Sequence, residues 1–232
     1  MELYVILAFY IIVLLYSIIL HEISHGVVAL WLGDQTAKLA GRLTLQPLPH
    51  IDPVGSIILP IVMILTTPYA FGWAKPVPYN PNNLSWTKWG PVAVAFAGPL
   101  TNFILAACAV VVGKLIQLAP GQKKDIILSL RDLMNSDIVG LVAGDLNAIF
   151  FAVCAMVIFW NILLGIFNLI PIPPLDGSKL LFALVPLPPQ VEDFLNRWGF
   201  LIVLGVIFFT PVGTVFGSVL SSVLNIFYSL MV

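Results

Sequence analysis

Long uncharged stretches dominate the pattern of this chain. Leu3–Leu32, Val92–Leu118, Leu146–Ile170 and the stretch from about Trp198 onward are predominantly apolar. Each is long enough to cross about 30 Å of hydrocarbon, which takes around 20 helical residues. Pro211 interrupts the last, leaving one kinked span or a span plus a re-entrant piece. A fifth run, Gly55–Phe71, is shorter and carries Pro60 and Pro68. Between Thr36 and Leu45, Ala37, Leu39 and Leu43 alternate with Lys38 and Arg42 around Gly41. That period of two predicts a short β-hairpin at the membrane edge. Lys75–Leu84 is extended and turn-rich because its prolines forbid helix. Ile126–Met134, within the polar connection Gly121–Asn147, predicts an interfacial amphipathic helix. The expected class is an all-α polytopic membrane protein with about four to six membrane helices, a small membrane-edge β-hairpin and a re-entrant segment. Residues 1–232 read as a single domain, with a core near 3–184 and a C-terminal membrane segment near 198–232.

Composition sharpens this. Of 232 residues, 60% are hydrophobic and 9% charged, and the mean hydropathy is +1.04. Soluble domains carry about 25% charged residues, so water cannot be the only solvent here. Ten Lys+Arg against eleven Asp+Glu leave no basic stripe for nucleic acid. Cys108 and Cys154 lie inside apolar runs, which excludes a disulfide scaffold. No Lys or Arg precedes Leu3–Leu20 and no small-residue cleavage site follows it, so the first segment reads as a retained span.

That first span carries His21-Glu22-Ile23-Ser24-His25. Two histidines four residues apart stack on one helix face and can share one zinc ion. Glu22, rotated by about 100°, is available to act on water as a general base. Tyr10, Ser17, His21 and His25 recur at helical spacing, forming a polar stripe able to face a protein interior. The plainer reading is a polar contact between helices. Ionisable groups deep in a lipid-spanning helix cost about 2.5–3.5 kcal/mol on insertion scales, which favours function. A catalytic zinc needs a third protein ligand. His50 is one candidate; Asp176, in the proline-rich turn Asn168–Gly177, is the preferred one, with N-capping of the next short helix as its alternative role.

The chain resembles the site-2 protease family of M50-type intramembrane zinc metalloproteases. The resemblance rests on His21–His25, on Ala97-Gly98-Pro99-Leu100-Thr101-Asn102, and on Asn168 with Leu175-Asp176-Gly177. Pro47–Pro53 and Gly72–Pro78 resemble a compact subgroup without PDZ or CBS domains. It implies His21, His25 and Asp176 as ligands of one Zn2+ per chain, Glu22 as general base, and Asn168 as a contact for the substrate backbone. Asn102 either touches substrate or packs between helices. His50 reads as a regulatory group or one supporting the metal's surroundings. The implied substrate is a transmembrane protein cut in or near its span, in regulated intramembrane proteolysis.

Parity constrains the topology. The histidines lie ~27–33 Å along a ~45 Å helix, nearer its exit side. Asp176 follows the span ending near Ile170, so Gly55–Phe71 is expected to make no net crossing. Lys38, Arg42, Lys75, Lys88, Lys179 and Arg197 then share the zinc side, against Lys114, Lys123, Lys124 and Arg131 opposite. This excess, with the resemblance, points to a cytoplasmic zinc side in the plasma membrane. Two competing readings are a cation transporter, in which Glu22 has no special place, and an inactive scaffold, which would have lost Glu22 or a ligand.

Overall fold

The computed structural model describes residues 2–66, 72–131, 137–185 and 187–232. Helix dominates, and no strand occurs among the described residues. They pack as two compact units, Met1–Ser17 with Pro99–Val232, and Ile18–Gly98. Among the described residues four helices are long and apolar enough to cross a membrane: Val5–Trp31 within α1 (Glu2–Trp31), then Gly90–Leu115, Leu146–Asn168 and Val212–Met231. The first three match the long apolar runs of the sequence to within a few residues; the run expected from about Trp198 is instead divided at Pro211 into two helices, of which Val212–Met231 is the one that qualifies. The protein is an all-α, multi-pass membrane protein.

In the Ile18–Gly98 unit, α1 leads to a single helical turn, α2 (Thr36–Leu39). The expected β-hairpin over Thr36–Leu45 is therefore not formed. Local hydrogen bonding defeats the alternation at both ends. Asp34 accepts from the Thr36 N–H at 3.2 Å and from its hydroxyl at 2.6 Å, starting the turn. At the other end Gly41 takes a left-handed φ of 66°. There the Arg42 N–H donates to the Ala37 carbonyl and Gly41 N–H to the Lys38 carbonyl, the bond pair of a Schellman cap. Ala37 is fully buried while Leu39 is 80% exposed, so the two do not share a face.

The chain then passes through a 3-10 turn at Leu48–His50 and a π-helical stretch, Pro53–Ile58, into α3 (Leu59–Thr66). Asp52 caps this stretch by accepting from the Val54 and Gly55 N–H groups. Eight residues of α-helix rise only about 12 Å, far short of a membrane. The Trp73 N–H donates back to the Gly55 carbonyl at 3.1 Å, and the Ser56 hydroxyl donates to the Trp73 carbonyl at 2.8 Å. The segment's two ends are thus joined, in keeping with no net crossing. Its last part, 67–71, lies outside the described residues.

The other unit contains α4 (Gly90–Leu115) from Pro99 onward, α5 (Pro120–Arg131), α6 (Asp137–Val142), α7 (Leu146–Asn168), α8 (Gly177–Leu184), α9 (Pro189–Phe209) and α10 (Val212–Met231). Its core gathers Phe151, Ile158 and Ile162 of α7 with Ile126 of α5 and Met231 of α10. The amphipathic helix expected at Ile126–Met134 starts six residues earlier, at Pro120; 132–134 lie outside the described residues. It is packed into the core, since Ile126, Ile127 and Leu130 are buried and the Leu130 carbonyl accepts from the Tyr10 hydroxyl at 2.8 Å. Lys123, also buried, donates to the Gly113 carbonyl near the end of α4, where a cation is favoured. Pro211 separates α9 from α10: Thr210 before it is extended, as a residue preceding proline prefers.

Asp34 ties the loops of the Ile18–Gly98 unit. Beyond Thr36, it accepts from the Asn80 N–H and the Asn83 amide, both at 2.8 Å. Burial pushes its pKa up, but these hydrogen bonds outweigh burial and hold it below the ordinary value of 3.8. A carboxylate so depressed stabilises the fold above that value and loses its contribution as pH falls through the folded pKa. Replacing Asp34 with Asn puts an NH2 against one of these donors. We expect a loss of about 1–2 kcal/mol at neutral pH, read by thermal unfolding in detergent, with the gap to wild type closing below pH ~4.

Candidate metal centre

Tyr10, Ser17, His21 and His25 are all buried, so the polar stripe of α1 does face protein. His21 and His25 are 5% and 8% exposed, and their rings meet edge to face with centroids 4.7 Å apart. With Glu22 they form a group whose ligand atoms lie within 4.8 Å of one another. Zinc bonds nitrogen at about 2.0–2.1 Å and oxygen at about 2.0–2.2 Å, so small side-chain adjustments suffice for one ion to be shared. Two imidazoles are donors that zinc prefers, and they leave positions for a further ligand and for water beside the Glu22 carboxylate.

The outer nitrogen of His25 is held. Its Nδ1 lies 2.7 Å from the Val94 carbonyl of α4. A carbonyl only accepts, so Nδ1 carries the proton and Nε2 the lone pair that a metal needs. Pro99, inside α4, has no N–H to return to the preceding turn and loosens the ladder just beyond Val94. Gly98 supplies the remaining requirement. A Cβ there would lie 2.5 Å from the His21 ring and 2.6 Å from that of His25, so only glycine lets α4 approach this closely. The sequence marks Gly98-Pro99 as a place for close packing and a kink; what it brings close is the histidine pair.

Glu22 projects beside that face and accepts from the Val77 N–H at 2.8 Å. Val77 sits between Pro76 and Pro78, neither of which has an N–H, so it is the only backbone donor of that tripeptide. Sequence reasoning missed the Val94 carbonyl and the Val77 amide. Backbone partners leave no side-chain signature, although the Pro-Val-Pro bracket is a visible hint.

The remaining predicted residues are placed as follows. His50 is buried, and one ring nitrogen, Nε2, is bonded to the Thr44 carbonyl at 2.9 Å. It is not in the His21–Glu22–His25 group. Asp176, Asn168 and Asn102 belong to the other unit. Asp176 stands at the N-cap position of α8 without a side-chain capping bond, so the capping role is not realised. Asn168 donates to the Leu164 carbonyl at 3.0 Å. Asn102 is fully buried and donates to Asn161 at 2.7 Å. Asn161 in turn donates to Ser17 at 2.8 Å and to the Val157 carbonyl. Asn161, central to that chain of bonds, is a second residue that sequence reasoning did not single out.

The profile of peptidase family M50 matches residues 9–206, most of the chain. The chain belongs to peptidase family M50. As a member of this site-2 protease family its metal is zinc. A Bacillus subtilis protein, "Putative zinc metalloprotease YwhC", is 33% identical over 207 residues, covering 88% of this chain and 81% of the relative. "Putative zinc metalloprotease Rip2" of Mycolicibacterium smegmatis is 29% identical over 201 residues, covering 85% of this chain and 65% of the relative. A Thermotoga maritima protein, "Putative zinc metalloprotease", is 37% identical over 83 residues, which is 31% of this chain and 17% of that one. No solved structure matches the chain.

Because α4 lies against both rings at Gly98, Gly98→Ala should displace them. Zinc affinity, measured by competition with a chromophoric chelator, is expected to fall about tenfold or more. Helix content by circular dichroism should stay unchanged.

Proposed function

We propose that this M50 member is a zinc-dependent intramembrane endopeptidase. It hydrolyses a peptide bond in or near a transmembrane segment of another membrane protein, in regulated proteolysis, with the whole chain serving as one catalytic domain. The observation that carries this reading is the group of buried His21 and His25 with half-buried Glu22 on a helix long and apolar enough to span a membrane, with His25 oriented by Val94. His21 and His25 act as two zinc ligands. Asp176 is the third, a role that rests on its proline-rich turn and on the family's motif.

Zinc, when bound, supplies an acidified water and polarises the scissile carbonyl. Glu22 removes a proton from the attacking water and returns it to the leaving nitrogen. Val77 holds the carboxylate through its N–H while the proton is exchanged. Val94 keeps His25 in the tautomer that presents Nε2. Burial of both imidazoles excludes bulk water from the ligand face. A helical substrate shields its carbonyls in its own hydrogen-bond ladder, so it must unwind locally before attack. Asn168 is the group proposed to meet the unwound backbone, and Asn102 a lesser candidate. His50 supports the loops beside the site. The basic residues on the zinc side argue for an orientation toward the cytoplasm of a plasma membrane.

Comparative proteomics of membrane fragments from cells carrying wild type or Glu22→Gln tests the reaction and reports substrates together. Glu22→Gln should reduce product fragments about 10²–10⁴-fold while the purified protein stays folded and zinc-loaded. Undiminished cleavage would remove Glu22 from the role of base. Asp176→Ala should lower the zinc retained per chain; full occupancy with intact cleavage would assign the third ligand elsewhere.

A further inference from the structure

From Trp73 to Pro78 the chain forms no helix, Pro76 and Pro78 hold Lys75 and Val77 before them toward extended backbone, and the backbone groups are engaged with a period of two. Trp73 bonds to Gly55 and Ser56. The Lys75 N–H donates to the His50 carbonyl at 2.9 Å, and the Lys75 carbonyl accepts from Arg42 Nη2 at 2.6 Å. The Val77 N–H donates to Glu22 at 2.8 Å. In an extended chain the N–H and C=O of alternate residues face the same edge, so residues 73, 75 and 77 pin one edge of this strap. Its last bond ends on the carboxylate assigned as the base.

Arg42 is the unusual member. It is buried, at 6% exposure, yet it forms no ion pair among the described residues. Its Nε makes no hydrogen bond, and the Lys75 carbonyl is its one protein partner in that set. Burying a guanidinium without a counter-charge is unfavourable. A neutral side chain would fill the same space at lower cost unless the bond to Lys75 matters. Lys75 is two residues from Val77, and Pro76 between them has its φ fixed near −65°. Fixing the Lys75 carbonyl therefore restricts the direction of the next available N–H.

We propose that Arg42 is a positioning residue for Glu22, acting through the Lys75 carbonyl and the Val77 amide. It anchors the strap so that a single N–H holds the carboxylate in the orientation needed for proton transfer. This rests on Glu22 being the base of a peptidase reaction.

The test uses the full-length, zinc-loaded protein and the membrane fragments that appear with wild type but not with Glu22→Gln. Arg42→Met keeps the length of the stem and removes the donor; Arg42→Lys keeps a donor of similar reach; Arg42→Gln keeps a shorter one. Exchange of the Val77 amide, followed by NMR in detergent with 15N-valine labelling, reports the strap directly. We expect Arg42→Met to retain one zinc per chain, expose the Val77 amide to exchange, and lower fragment yield at least about tenfold. Arg42→Lys should stay within about threefold of wild type, and Arg42→Gln should fall between. Wild-type yield from a zinc-loaded Arg42→Met would overturn the proposal. So would loss of yield with the Val77 amide still protected. Should Arg42→Met fail to fold, the Lys and Gln variants decide: yield must rank with Val77 protection, and the absence of that ranking overturns the proposal. If Glu22→Gln itself yields the same fragments as wild type, it is the peptidase reading that fails, not the relay.

Discussion

The approach of α4 to α1 at Gly98 is the constraint on which the candidate centre depends. A peptide backbone without a side chain lies against two imidazoles, and one turn earlier a carbonyl of the same helix fixes the proton of His25. Neither feature survives a wider separation: a Cβ would push the rings away, and Val94 would lose its bond. Packing, tautomer and ligand direction are thus one arrangement. Pro99 belongs to it as well, because a proline inside α4 loosens the ladder where a carbonyl turns to serve another helix.

The same economy of polar partners runs through the apolar interior. With no water to satisfy them, buried hydroxyl and amide groups must bond to protein. Tyr10 finds the Leu130 carbonyl and Tyr228 the Ala155 carbonyl. Ser17, Asn161 and Asn102 bond in series. Such bonds are worth only about 0.6 kcal/mol each on average between membrane helices. Their effect is directional: they select one rotation of each helix about its axis, which nonpolar packing against lipid or Leu does poorly.

The long helices were legible because their signal is cumulative. Twenty apolar residues leave little ambiguity, and α1, α4 and α7 fall where hydropathy sets them, while the last run, read from about Trp198, is cut at Pro211 into α9 and α10. The short elements were not. Thr36–Leu45 alternates like a strand, yet Asp34 and Gly41 close a helical turn with bonds that a two-letter hydrophobic pattern does not encode. Ile126–Met134 reads as amphipathic, but only packing reveals that Ile126, Ile127 and Leu130 join Tyr10 and α7 in the core. At the candidate metal centre the His21–Glu22–His25 group was readable from its spacing. Their backbone partners at Val77 and Val94 were not, since any residue type carries a peptide group.

The strap from Trp73 to Val77 has a corollary for how this region tolerates change in length. Its anchors are reached by counting residues in twos, and the positions flanking Val77 are imino acids. Sliding the chain by one would set a pyrrolidine ring opposite Glu22, and no neighbouring amide could take over. Insertions or deletions of a single residue here are therefore discontinuous in effect, unlike those in an ordinary surface loop, where slack is shared out along the backbone.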